Sequence, residues 1–538
     1  MSSKRILLLA FLLSTLLIVC GALGMATEER YGGTLIVPLP YGGTVGTLEP
    51  AQTSRIQDLI SIGNIFDRLV HINPETLEVE PAIAKDWEIS EDGLTYTFYL
   101  NEDVKFHNGR QLIADDVKYT IERIMDPREA AHASSLFENV KGVEEFRSGE
   151  EDGIYGVDVI DNHTVEITLD TLNVDFLYGV ANRGAGILPE EEVERYGDEF
   201  GSNPVGAGPF KFVEWVRGSQ IVVEAFDDYY KGRPYLDEVI FRVMPEASAR
   251  VASFQAEELD YDIVFPAHYE RYKQDPEYKE LLVEVPELWT RNIHFNLDIE
   301  ELKDKRVRQA FNYAIDKELI VDRMLSGAAY PAVGWLPTTS LAFNPELEGY
   351  EYNPQKAKEL MEAAGFTPED PLELEIIGTD HPAWGVQIVE AIMPNLKEVG
   401  FEITPVLVDG ATWSQRVTTG NFEAGIHSWG GSVSPLEYLS NYFWSRVTRE
   451  GGNYVNYNNP EFDEYLEKAM STIDVDERVE LIQEAEKIFV EDPPVWFYNY
   501  NKAVGIRQPW VHGIIPAPEE MVYQPLHKVW IDDTSPRK

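Results

Sequence analysis

The sequence predicts an α/β protein, and three observations carry that reading. Residues 31 to 290 are rich in strand-like alternation, helical periodicity takes over after residue 300 with strand runs still between the helices, and no repeat, low-complexity tract or flexible linker divides the two regions. A chain of 538 residues with 44% apolar and 12% aromatic side chains can fill large cores. At roughly 150 residues per domain the length suggests about three domains. Without linkers, their boundaries must be crossings within a compact chain.

The first element is the run GGTLIVPLP from Gly32, closed by Pro38 and Pro40. Behind the Asp92-Gly93 turn signal, Leu94, Tyr96, Phe98 and Leu100 alternate with polar or amphipathic neighbours, as a half-buried strand does; Val165, Ile167 and Leu169 repeat the pattern. Strands also fit Lys211 to Val216, Gln220 to Phe226 and Glu238 to Met244.

The helical half begins with Asp304 as a cap and Val307, Ala310, Phe311, Ala314 and Ile315 on one face, with Gly327 as the expected stop. Asn353 as cap, Pro354 at the first position and Gly365 beyond the end bracket a second helix. A third is expected to open near Asp380 and stop at Gly400, kinked at Pro394. The strand run FEITPVLV follows at Phe401 to Val408, two more helices start near Asn459-Pro460 and Val475, and PVWFYNYN returns the chain to strand.

At the N-terminus Lys4 and Arg5 precede an apolar run from Ile6 to Val19 and the small residues Gly21 to Ala26, the layout of a secretory signal over residues 1–26. A retained anchor is the competing reading, since counting through Ala26 just reaches spanning length. Cys20, the only cysteine, stands where a processed signal could end. It resembles a lipoprotein box with bulky Val19 in place of the usual small residue, and cleavage after Gly24 or Ala26 is the alternative. Either way the mature domain beyond that leader has no cysteine and hence no disulfide. The formal net charge is −48, so the field repels nucleic acid and anionic lipid, and a nucleic-acid partner is excluded.

The sequence carries no recognisable catalytic motif. The ten histidines include no pair three to five apart, and HExxH, CxxC, GxSxG and the phosphate loop GxxxxGK[ST] are all missing. Gly206-Ala207-Gly208 leads into a strand and reads as a tight turn. Carboxylate neighbours such as Asp115-Asp116 and Asp227-Asp228 are expected by chance among 93 acids. What remains is a tryptophan-rich stretch between residues 284 and 500, and ligand clefts are lined by aromatic rings. Trp413 and Trp429 stand out because glycine and polar residues surround them in ATWSQRVTTGNF and IHSWGGSVSP.

Several segments resemble one family. The strongest is PAIAKDWEISEDGLTYTFYLNEDVKFHNGRQLIADDVKYTIERI, residues 81 to 124, with its Phe106-His107-Asn108-Gly109 turn and the helix led by Ala114-Asp115-Asp116-Val117. VGAGPFKFVEWVRGSQIVVEAFDDYYKGRPYLDEVIFRVMPEASARVASFQAEELD, DKRVRQAFNYAIDKELIVDRMLSG and WSQRVTTGNFEAGIHSW agree with it. Together they are similar to solute-binding protein family 5, the extracytoplasmic peptide, nickel and oligosaccharide binders of ABC importers. The resemblance implies a two-lobed periplasmic-binding-protein fold of type II with an additional domain and the ligand between the lobes. One lobe would be assembled from residues 31–58, 196–288 and 497–538, the additional domain from 59–195 and the other lobe from 289–496.

It also implies an exported or lipid-anchored monomer without catalysis or cofactor, which captures a short peptide and presents it by lobe closure to the ABC transporter permease. In peptide-binding members an aspartate after the tryptophan grips the α-ammonium, and here Gly431 stands in its place. Either another acid such as Glu437 replaces it, or the ligand is a neutral oligosaccharide that stacks on aromatic rings. A metal site is not expected, since only His427 falls in the supposed cleft. The expected ligand residues are Trp429 and Trp413 as stacking platforms, Trp384 and Tyr41 as walls, His427 and Ser432 as hydrogen-bonding groups and Gly431 as a point of close approach. A secreted hydrolase and a chaperone-like binder are the alternatives of another class.

Overall fold

The computed structural model describes residues 30–41, 44–381, 385–429, 431–519 and 521–538, with the backbone alone for Trp429. The expected signal segment and Cys20 lie outside the described residues. Two long antiparallel strands, Leu282–Phe295 and Val495–Arg507, tie the two lobes together. Nearly every residue of Val495–Arg507 is buried, so the strand reads as a continuous apolar run instead of an alternating one. Ala503, Val504 and Ile506 pack in the cores of one lobe, whereas Val495 to Tyr498 and Tyr500 pack in those of the other. Between the two halves the register breaks: Leu282 to Pro286 pair with Ile506 to Lys502, and pairing resumes only at Thr290 opposite Tyr500. Glu287, Leu288 and Trp289 bulge out at that break, where a change of lobe angle would be absorbed.

The first lobe holds a four-stranded sheet in which Thr34–Leu39 pairs in parallel with Glu238–Val243, followed by Gln220–Ala225 and Phe210–Val216. In the second lobe Leu372–Gly378 lies parallel between Phe401–Leu407 and Ala424–Trp429. The helices Val386–Val399 and Gly410–Thr418 make the crossovers. A separate sheet of Ala84–Ile89, Thr95–Leu100, Thr164–Thr168 and Val157–Asp161 packs against the helix Ala114–Met125. Its core rests on the alternation seen in the sequence, with Tyr96, Phe98, Leu100, Val165 and Ile167 all buried.

Several expectations change. The helix expected from Asp304 to Gly327 is two, Lys305–Ala314 and Lys317–Leu325, because Asp316 caps the second by accepting from the Leu319 N–H at 2.9 Å. The third helix starts at Val386, beyond Asp380. The chain bends at 207–209 where a turn was expected, and Gly206 and Gly208 there allow close backbone approach: a Cβ would meet the Ile65 carbonyl oxygen at 2.2 and 2.6 Å. Asp116 pairs with Arg110 and Asp228 with Lys105, so both acidic pairs have structural work. Among the described residues no helix is long and apolar enough to cross a membrane.

Candidate ligand-binding cleft

In open α/β sheets ligands sit beyond the carboxyl ends of the parallel strands. Here those ends are Gly378, Leu407 and Trp429, and the loop after Trp429 leads to the helix Pro435–Phe443. Beside that loop lies a cavity of about 550 Å³. Gly431, Ser432, Val433 and Glu437 form its second-lobe wall, Arg68, Asn173, Asp175 and Arg183 face them across the cavity, and Glu519 and Tyr523 close the side.

The second-lobe wall is organised by the helix start. Ser434, fully buried, accepts the Glu437 N–H at 3.1 Å as the cap and donates its hydroxyl proton to Asp175 Oδ2 at 2.7 Å. Ser432 donates to Glu437 Oε2 at 2.6 Å, which fixes that carboxylate toward the cavity. Burial, reinforced by the charge of Glu437, pushes the Asp175 carboxyl up to about 6, against the Ser434 bond and the charge of Arg478, which lower it; Arg478 itself is bonded to the Thr472 carbonyl. Among the described residues neither acid has a cation within ion-pair distance. The pair can therefore receive a cationic group.

Two arginines also line the cavity. Arg183 holds Glu519 through two bonds, 2.7 and 3.2 Å, with its guanidinium 3.5 Å above the Tyr523 ring. Arg68 lies beside them, 8% exposed. Deeper in, Asp67 contacts His71 and accepts from the hydroxyls of Tyr229 and Tyr230 at 3.1 and 2.8 Å. At the strand crossing, Arg291 lies 3.4 Å from Glu287 and 5.3 Å from the Trp289 ring centre.

Two lobes joined by crossing strands, with a charged cavity at the ends of a parallel sheet, is the construction of a binding protein that closes on its ligand. The profile of the bacterial extracellular solute-binding proteins, family 5, middle region, matches residues 78–450. The chain belongs to this family. This solute-binding protein is 31% identical over 476 residues to heme-binding protein A of Haemophilus influenzae, covering 84% of this chain and 85% of that protein. It is 29% identical to the dipeptide-binding protein of Escherichia coli, over 80% of this chain and 82% of that one. The structure of HbpA2 from Haemophilus parasuis superposes with a TM-score of 0.81 at 28% identity, over 93% of this chain and all of that one. The family is made of binding proteins rather than enzymes.

Within this solute-binding protein the expected site residues separate into groups. Gly431 and Ser432 line the cavity. Trp413 and His427 come together, but as partners of each other: their rings stack with centres 4.0 Å apart, and the His294 ring meets Trp413 edge-on at 5.6 Å. Trp413 is 6% exposed in a small core with Ile377, Val417 and Phe422, so one face expected to receive a ligand is already covered. Burial, and then the nearby Arg291 charge, hold the His427 imidazole at about 4, so it is neutral at ordinary pH. Tyr41 packs half-buried on the first-lobe core. Trp429 ends its strand opposite Thr290, and Trp384 lies outside the described residues.

The close approach expected at Gly431 is made by the protein itself. A Cβ there would lie 1.8 Å from the carbonyl oxygen of Leu288, in the bulge between the lobes. The residues that sequence reasoning missed are Arg68, Asp175, Arg183 and Glu519. Only Arg68 leaves a trace, as a charge inside the apolar run IFDRLV.

Proposed function

We propose that the protein captures a short peptide between its lobes and delivers it by lobe closure to the permease of an ABC importer. The observation that carries the reading is the acidic pair Asp175 and Glu437, facing the cavity with no cation in ion-pair contact among the described residues, the charge of Arg478 acting on Asp175 only from beyond that distance. An α-ammonium between them would relieve their repulsion, and so supply the partner that Gly431 does not. The kinship with the dipeptide-binding protein of E. coli supports the same class of ligand. The neutral-sugar reading loses support, because Trp335 and Trp496 are fully buried and Trp413 is covered by His427. The protein works outside the cytoplasm, and Cys20 at the end of the apolar leader is the residue that would carry a lipid anchor.

Thermal-shift titration of the mature protein with short peptides and with neutral oligosaccharides tests the reading. A ligand at 100 times its Kd adds about 2.7 kcal/mol, enough to raise the midpoint measurably. Peptides should stabilise, and Asp175→Asn with Glu437→Gln should weaken them. Stabilisation by sugars alone would overturn the proposal.

A further inference from the structure

Arg68 follows the helix Ile56–Ile65 and presents a guanidinium to two adjoining cavities. One is the 550 Å³ cavity; the other, about 310 Å³, is lined by Asp67, His71, Lys231 and His527 among others. The side chain is more than nine-tenths buried. Among the described residues no carboxylate comes within ion-pair distance of it, and its Nε has no hydrogen-bond partner. A guanidinium does not shed its charge in a protein, so a buried one without an anion is unfavourable.

The carboxylates that act on it are committed elsewhere. Asp67 is held by His71, Tyr229 and Tyr230, and Glu519 by both arms of Arg183. Burial first holds His71 and His527 at about 4, so both are neutral at ordinary pH, while Lys231 and Lys528 add positive charge to the smaller cavity. In a chain of net charge −48 this is a local excess of cation, and among the described residues Arg68 has no carboxylate in ion-pair contact.

We infer that Arg68 is the receptor for a carboxylate of the ligand, so that a zwitterion spans the cavity with its anion on Arg68 and its cation between Asp175 and Glu437. The inference rests on the peptide reading above and adds the second pole. A planar guanidinium can take a carboxylate through two parallel bonds, which fixes orientation as well as charge. The Arg183–Glu519 pair and the Tyr523 ring form the adjacent wall and leave Arg68 as the open donor.

The test uses the mature full-length protein with random tripeptide libraries, one as free acids and one as C-terminal amides, alongside potassium phosphate and sodium acetate. Free acids should bind at least about tenfold more tightly than amides, and Arg68→Met should abolish that preference. The empty Arg68→Met protein should melt at the wild-type temperature or above it, since an unpaired buried cation has been removed; Arg68→Lys should keep part of the preference. An acid-over-amide preference that survives in Arg68→Met would overturn the assignment and leave the peptide reading standing. A lower melting temperature of the empty variant would make Arg68 structural and also overturn it. Stabilisation by phosphate or acetate but not by peptide, lost in Arg68→Met, would replace it with a free-anion site. Failure of both libraries on the wild type would remove the peptide reading and this inference with it.

Discussion

The Ser434 hydroxyl bonds Asp175 Oδ2 at 2.7 Å across 259 positions of sequence, joining a helix start of the second lobe to the residue that precedes the helix Phe176–Val180. The same oxygen caps that helix by accepting from the Glu437 N–H. Ser434→Ala removes both bonds at a fully buried site. A lost cap and an Asp175 oxygen left without its donor should together lower stability by about 1 to 3 kcal/mol, read as a fall in the thermal midpoint. An unchanged midpoint would mean that neither bond holds in solution.

Asp175 also predicts a pH dependence whose sign follows from its raised carboxyl. Between about 4 and about 6 the folded protein holds a proton that the unfolded chain has released, so this group's contribution to stability falls as pH rises through that window. At pH 7 Asp175→Asn should be more stable than wild type by on the order of 2 kcal/mol, and the two should converge below about pH 4. Binding runs the other way, since an ammonium prefers the ionised form. Peptide affinity should weaken below about pH 6 in the wild type, with proton release on binding measurable by calorimetry in two buffers.

Local chemistry was legible in the sequence where one turn of chain decided the outcome. Asn353 caps the helix Pro354–Ala364 by accepting from the Lys356 N–H, and Gly365 ends it with φ of 101°, as their order along the chain indicates. Asp304 caps as expected, but the neighbouring Asp316 caps too, and two equivalent caps in one apolar period cannot be ranked from sequence. Trp413 misled for a related reason. The polar residues around it belong to the outer face of the helix Gly410–Thr418, while Trp413 and Val417, one turn apart, face inward. Of the cavity charges Glu437 was legible as an acid close to Gly431 in the chain, whereas Arg68 and Asp175 come from distant segments brought to it only by the tertiary fold, and spacing along the chain does not reveal that.

The stack of Trp413 on His427 predicts a stability effect where a surface platform would give a binding effect. Trp413→Ala empties a core position and should lower stability by roughly 3 to 5 kcal/mol. It also opens the imidazole to water, so the His427 titration, followed by NMR, should move up from about 4 toward the ordinary histidine range. Relief of that depressed value removes a term that makes the folded protein lose stability as pH falls through 6 toward 4. A Trp413→Ala protein with wild-type stability and an unmoved His427 would refute the stack.

Gly431 and Ser432 are neighbours on the cavity wall, yet they should respond oppositely to an added carboxylate. At 431 a Cβ would fall 1.8 Å from the Leu288 oxygen and 2.6 Å from its Cβ, and Leu288 is itself held, its N–H donating to the Pro518 carbonyl at 3.0 Å. Backbone on both sides leaves no flexible end to yield. Gly431→Ala and Gly431→Asp should therefore both destabilise by about 1 to 3 kcal/mol or more and disturb the bulge between the lobes, without any gain in peptide affinity. Ser432 is only half-buried, with no backbone among the described residues closing on it as at Gly431, and donates its hydroxyl proton to Glu437, a bond an aspartate there would lose. Ser432→Asp should fold with a smaller loss and tighten peptides with an additional positive charge, measured by calorimetry above pH 6. If Gly431→Asp proved stable and bound peptides more tightly than wild type, the Leu288 contact would not govern this position, and the amine pole would belong at residue 431 instead of at Asp175 and Glu437.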